Sequence, residues 1–217
     1  VAVASPPFAF LFFCGGFAMA LRLITPPASG PVSLEDFKAH LRVTHGDEDV
    51  QIAGCLAAAV AMIDGKGMLG RALMSQSWVQ AEEHVPGARG LWGVRSLELT
   101  MGPVLEVERV SFLQSDGTRL DADLADFRLA QDGDRFLLHS TKWGGSTLRE
   151  PDAIEVTYRA GFGALASDVP APICQAVKIL GSHFYEYREE VIVGTIVSKL
   201  PFSVEALLML YRTRFYS

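Results

Sequence analysis

A surplus of positive charge is missing from this sequence: 19 Lys and Arg stand against 25 Asp and Glu, a formal net charge of -6. A general nucleic-acid binder carries a basic footprint, so the chain as a whole is not one. Paired cysteines are missing as well. Cys14, Cys55 and Cys174 are far apart, odd in number and without a CxxC pair, which excludes a disulfide framework and a cysteine zinc site. They read as small buried hydrophobes of the kind a reducing cytoplasm tolerates. Charge of either sign is absent before Arg22, where the chain runs VAVASPPFAFLFFCGGFAMAL. A secretory signal needs a basic residue ahead of its apolar run, and this stretch has none. A spanning helix needs about 20 apolar residues, and Pro6, Pro7, Gly15 and Gly16 interrupt this one.

What is present is a globular composition, 49% hydrophobic and 20% charged over 217 residues. That length buries roughly 70% of the surface of the unfolded chain, enough for a core without staples. Internal repeats and low-complexity linkers are lacking.

The periodicity divides the chain into three parts. In SLEDFKAHLRV, Ser33 is placed to cap a helix with Leu34, Phe37 and Leu41 on one face. In THGDEDVQIAGCLAAAVAMIDGKG, acidic residues open a second helix, Ile52, Leu56, Ala59, Val60 and Ile63 form its buried stripe, and Gly65 and Gly67 end it. From Leu73 the pattern alternates, in LMSQSWVQAEEH, SLELT, PVLEVERVSFLQ, DFRLA, RFLLHS and AIEVTYRAG. Asp116-Gly117 and Asp132-Gly133 lie between such runs, and an Asp-Gly pair supplies the positive backbone angles of a tight hairpin. A third helix follows in DVPAPICQAVKILGSHFYEYREE, with Ile173, Ala176, Val177, Leu180 and Phe184 as its stripe. After VIVGTIVSKL, a strand or an ordered loop, PFSVEALLMLYRTRFYS reads as a proline-started helix with a basic aromatic tail. The expected class is α+β: two N-terminal helices, a small central antiparallel sheet, and two C-terminal helices.

Candidate chemistry is sparse. His45, Asp47, Glu48 and Asp49 have the residue types of a metal site, but near-adjacent residues at a helix start point in different directions and suit capping and the dipole better. Glu82, Glu83 and His84 with His139 and Ser140 could be pieces of a hydrolase, yet no nucleophile signature surrounds Ser140, Ser75 or Ser77. Solvated strand faces explain them equally. GKGMLGRAL has glycines after a helix instead of before one, so it terminates a helix and cradles no phosphate. Trp78, Trp92 and Trp143 lack the basic groove of a single-strand binder. The tail YRTRFYS is rich in Tyr and Arg, the residues most enriched at interface hot spots. No catalytic residue, metal site or cofactor is expected.

Several stretches together resemble the head-to-tail connector, or adaptor, proteins of tailed bacteriophages, prophages and gene transfer agents. They are LITPPASGPVSLEDFKAHLRV with the DED that follows, GRALMSQSW, YRAGFG with VPAPICQAVKILGSHFYEYRE, and VGTIVSKLPFSVEALLMLYR. They run in family order from about Met19 to Arg212. The resemblance implies a structural protein without an active site, assembling side by side into a twelve-fold homo-oligomeric ring beneath the portal protein. Its lower surface meets the next neck, stopper or tail-completion protein. Double-stranded DNA passes through without sequence-specific binding, and assembly is in the bacterial cytoplasm without a membrane. Portal binding falls to the tail, Tyr211, Arg212, Thr213, Arg214, Phe215 and Tyr216. For the ring itself, the charged side of the third helix, with Lys178, Glu186, Arg188, Glu189 and Glu190, faces a neighbour.

The simplest connectors are mainly helical, so the strand-rich middle stands as an insertion. The family-like segment starts at Met19, which leaves residues 1–18 as an extension upstream of a single connector domain. That domain would be helical over 19–72, β-rich over 73–162, and helical with a tail over 163–217. Two rivals remain: a small hydrolase using Glu82, His84 and His139, and an envelope-associated protein anchored by the opening segment.

Overall fold

The computed structural model describes residues 10–14, 17–83, 95–143, 152–187 and 202–212. Two compact units make up the chain, one from the residues up to Pro26 and Ser75–Gly161, the other from Pro27–Met74 and Phe162–Ser217. The class is α+β, with four helices and two antiparallel sheets among the described residues.

The first unit is built of strands β1 (Phe10–Cys14), β2 (Phe17–Thr25), β3 (Gln76–Glu82), β4 (Arg95–Leu99), β5 (Val104–Leu113), β6 (Arg119–Asp121), β7 (Arg128–Asp132), β8 (Arg135–Ser140) and β9 (Ile154–Ala160). Six of them form a sheet in the order β1-β2-β3-β9-β5-β6, and three form a second in the order β4-β8-β7. The larger sheet is thus wider than the middle of the chain alone would make it. β1 and β2 come from the apolar opening, including residues 10–14 and 17–18 of the stretch set aside above, and β2 pairs antiparallel with β3. That pairing spans more than fifty residues of sequence, and no local pattern in the opening announces it.

Alternation works where the sequence shows it. On β9, Ile154, Val156, Tyr158 and Ala160 are buried while the residues between them are half-buried. They join Trp78, Val110 and Phe112 from the same sheet, and Leu97, Leu99, Phe136 and Leu138 from the smaller one, in the buried hydrophobic set. Trp143 meets Phe112 and Phe127 edge-on, at centroid distances of 6.5 and 5.0 Å, the T-shaped arrangement aromatic quadrupoles favour. Its indole Nε1 donates to the Arg95 carbonyl at 3.0 Å. Both Asp-Gly pairs sit in hairpins: Gly117 has φ 82° between β5 and β6, and Gly133 has φ 59° between β7 and β8. At the first, the Thr118 amide and hydroxyl both donate to the Asp116 carboxylate and hold its pKa below the ordinary value.

The second unit is helical: α1 (Leu34–Leu41), α2 (Asp49–Ile63), α3 (Ala171–Glu186) and α4 (Phe202–Leu208). Ser33 caps α1 by accepting the Asp36 amide at 3.1 Å, and Arg42 closes it in the left-handed region at φ 60°. α3 is the hub, with α1, α2 and α4 all packed on it. Phe37, Ile52, Leu56, Ala59, Ile63, Ile173, Ala176, Val177, Leu180, Val204 and Leu208 form the core. Gly181 lets Phe37 lie against the backbone of α3, since an added Cβ would stand 2.7 Å from the Phe37 Cζ. After α2, the Asp64 carboxylate accepts the Leu73 amide at 2.8 Å and fixes the glycine-containing loop that follows.

Candidate assembly surfaces

In the first unit the most concentrated polar group lies within the core. Gln80, on β3, is fully buried. Its Nε2 donates to the Glu82 carboxylate and to the Glu98 carbonyl, both at 2.8 Å. Its Oε1 accepts the Thr100 amide at 2.9 Å and faces the Tyr158 hydroxyl at 3.4 Å, while that hydroxyl accepts the Met101 amide at 3.1 Å. Burial pushes the Tyr158 phenol up, so it stays protonated and able to donate. This knot ties the end of β4 to β3 and β9 with each member satisfied, which is what makes a buried polar network tolerable.

Glu82 belongs to that knot. Burial raises its pKa and the Gln80 amide acts against the rise. A carboxyl with a raised pKa suits acid-base work, but its partner here is an amide and not a nucleophile. His139 sits on β8 in the other sheet, where its Nδ1 lies 2.6 Å from the Ser96 hydroxyl. Ser140 is buried and its Oγ accepts the Lys142 amide at 2.9 Å, closing a turn. Glu82, His139 and Ser140 therefore each serve a different local contact, and His84 lies outside the described residues. Trp78 and Trp143 are core residues; Trp92 lies outside.

The other face of the larger sheet is a layer of paired charges. Glu155 takes Arg22 at 2.9 Å and Arg119 at 3.2 Å, Arg109 meets Asp121 at 2.7 Å, and Arg159 meets Glu106. Cross-strand opposite charges of this kind reinforce register and leave each of these arginines with a carboxylate partner.

In the helical unit the acidic start of α2 is used for pairing. Asp49 holds Lys38 of α1 at 2.5 Å, Glu48 accepts the Tyr185 hydroxyl of α3, and His45 lies 3.9 Å from Asp47. The proposed ring contacts on α3 divide: Lys178 is half-buried and Glu186 exposed, while Arg188, Glu189 and Glu190 lie outside the described residues. The tail divides likewise. Tyr211 is half-buried and packs on the helical core, Arg212 is exposed, and Thr213, Arg214, Phe215 and Tyr216 lie outside the described residues.

Sequence reading missed the apolar surface of this unit. Phe202, Met209 and Leu210 are 83%, 71% and 80% exposed, and Val50 at the start of α2 is 90% exposed. The signal was legible in the absence of charge from Val50 to Ile63, the whole of α2 after its first residue. No helix among the described residues is long and apolar enough to cross a membrane.

No family model matches the chain, and no curated protein does. Solved structures do. A chain in the neck of an empty gene transfer agent (GTA) particle computed with C6 symmetry is 27% identical with a TM-score of 0.69, covering 89% of this chain and 95% of that one. A chain in the virion of a native gene transfer agent particle is 28% identical at TM-score 0.66, with the same coverage. A chain in the neck of a native GTA particle computed with C12 symmetry is 26% identical at TM-score 0.65, covering 89% of this chain and 94% of that one.

Proposed function

We propose that this chain, which resembles the phage and gene transfer agent connector family in fold as well as in sequence motif, is a structural subunit of a particle neck. It forms a ring beneath the portal, joins capsid to tail, and lets double-stranded DNA through. The observation that carries the reading is the similarity over 89% of the chain to chains of gene transfer agent necks, at an identity of 26–28%. A ring of twelve satisfies both the six-fold and the twelve-fold symmetry of those necks. The enclosed DNA asks for a wall that does not hold it, and a net charge of -6 supports that. So does the pairing of Arg22, Arg109, Arg119 and Arg159 with carboxylates.

On this proposal the charged side of α3, with Lys178 and Glu186 followed by Arg188, Glu189 and Glu190, contributes polar contacts between ring neighbours. The tail from Tyr211 to Tyr216 reaches the portal, the opposite end of the ring takes the next neck or stopper protein, and assembly occurs in the bacterial cytoplasm. Electron microscopy of the purified protein, alone and mixed with its portal, tests the ring. Closed rings are expected, on the portal if not in isolation. Protein that stays monomeric in both conditions refutes the reading.

A further inference from the structure

A closed ring needs two different faces on every subunit, one complementary to the other. Resting on the ring reading above, the geometry of the helical unit points to which two: we propose that the outward face of α2, centred on Gly54, receives Phe202, Met209 and Leu210 of the neighbouring copy.

α2 is apolar on all sides. Ile52, Leu56, Ala59 and Ile63 form the buried stripe. Val50, Gly54, Ala57 and Ala61 recur at spacings of three and four on the opposite side of the helix, and all four are exposed. No charged residue interrupts either face between Val50 and Ile63, and Gln51 is the single polar side chain there. An amphipathic helix at a protein surface carries charged or polar residues outward, whereas a helix apolar all round is buried. Half of α2 is therefore covered by nothing in the described chain, although its composition is that of a helix covered on both sides.

Gly54 makes the same point independently. A glycine inside a helix costs about 1 kcal/mol relative to alanine, so it needs a reason. Gly181 in α3 has one inside this chain, the Phe37 ring that a Cβ would strike at 2.7 Å. At Gly54 an added Cβ would meet nothing within 4 Å. Close approach by a group from another molecule supplies the missing reason.

The complementary surface is on the same unit. α2 and α4 each pack on α3. Phe202 opens α4, and Met209 and Leu210 follow its end, at 83%, 71% and 80% exposure. Together they offer roughly 400 Å² of apolar surface, about half of the ~800 Å² that each partner gives to a standard interface. Charge is depleted at the centre of such interfaces and polar groups form the rim; the α2 face from Val50 to Ala61 carries no charge, and on α4 the exposed Glu205 lies beside Phe202 and Met209. The 15 residues of α2 run ~22 Å, long enough for its face of small residues to seat three large side chains. Two exposed apolar patches lie on one subunit, one of small residues on α2 and one of large residues on and after α4. A second copy is the occupant these features select, because solved chains that this one resembles come from necks computed with C6 and C12 symmetry.

The test uses Ala57→Glu and Leu210→Glu in the full-length protein, with assembly read by light scattering and electron microscopy, on the portal if the ring needs it. Both sites are exposed, so circular dichroism should show each variant folded. Each alone is expected to lower the ring fraction at least tenfold. Mixed in equal amounts they should form a heterodimer and nothing larger, since Ala57→Glu retains the patch of Phe202, Met209 and Leu210 and Leu210→Glu retains the α2 face. Wild-type rings with undiminished Ala57→Glu rings would overturn this assignment and leave the ring reading standing. So would a mixture that stays monomeric, or an Ala57→Glu variant that loses its fold because its own chain covers the face. Wild-type protein that never forms a ring would overturn both.

Discussion

Alanine at Gly54 should stabilise the fold and alanine at Gly181 should not, though both glycines sit inside helices. Each substitution removes the backbone freedom of glycine, a gain of about 1 kcal/mol in a helix interior. At Gly54 nothing opposes it, since the new methyl meets no heavy atom within 4 Å. At Gly181 the methyl would stand 2.7 Å from Cζ and 3.0 Å from Cε2 of Phe37, a ring with 0% exposure. Forcing an extra carbon into a packed core costs roughly 1–3 kcal/mol, so the net change there lies between no effect and a loss of about 2 kcal/mol. The two variants should therefore differ by about 1–3 kcal/mol in denaturant unfolding of the dilute, monomeric protein, read by the helical circular dichroism signal. A Gly181→Ala variant as stable as Gly54→Ala would refute the Phe37 contact. The assembly readout must move the other way at Gly54: a stabler fold with weaker rings. A Gly54→Ala protein that is stabler and forms rings undiminished would show that the glycine serves no neighbour.

Gln80→Ala should cost about 2 kcal/mol or more, because the Thr100 amide and the Glu98 carbonyl each lose a hydrogen bond to a buried partner and each loss costs about 1–3 kcal/mol; urea midpoints check it, and a loss under about 1 kcal/mol would contradict the knot. For Glu82 the sign is that of an acid raised by burial: the folded protein holds its proton more tightly than the unfolded chain, so ionisation at neutral pH weakens the fold and acidification relieves it. Glu82→Gln should equal or exceed wild type in stability at neutral pH, with the difference shrinking as pH falls through the raised value; a difference that grows on acidification would show the carboxylate to be stabilised instead. Deleting residues 212–217 while keeping Tyr211, which packs on the core, should leave the unfolding midpoint unchanged and weaken binding to the portal in pull-down; full portal binding by the truncated chain would remove the tail from the contact.

Local features were the legible ones. The Ser33 cap, the two Asp-Gly hairpins and the alternation of β9 each depend on a few neighbouring residues, and each stands in the structure where the sequence puts it. Contacts distant in sequence were not legible. The strand character of residues 17–25 depends on pairing with β3, and the Gln80 knot depends on bringing Tyr158, 78 residues away, to the same point. Glu82 and His139 looked like a pair because both are chemically able, but they serve different sheets. The outward face of α2 was overlooked for another reason: a search for one apolar stripe finds Ile52, Leu56, Ala59 and Ile63 and stops, when the informative feature is the missing polar side.

The central claim, a structural role joining head to tail, is tested most directly by removing the chain from the cells that make its particle and imaging what they release. The account predicts full-sized heads and separate tails, rejoined when the wild-type chain is restored. Normally tailed particles made without the chain would contradict it.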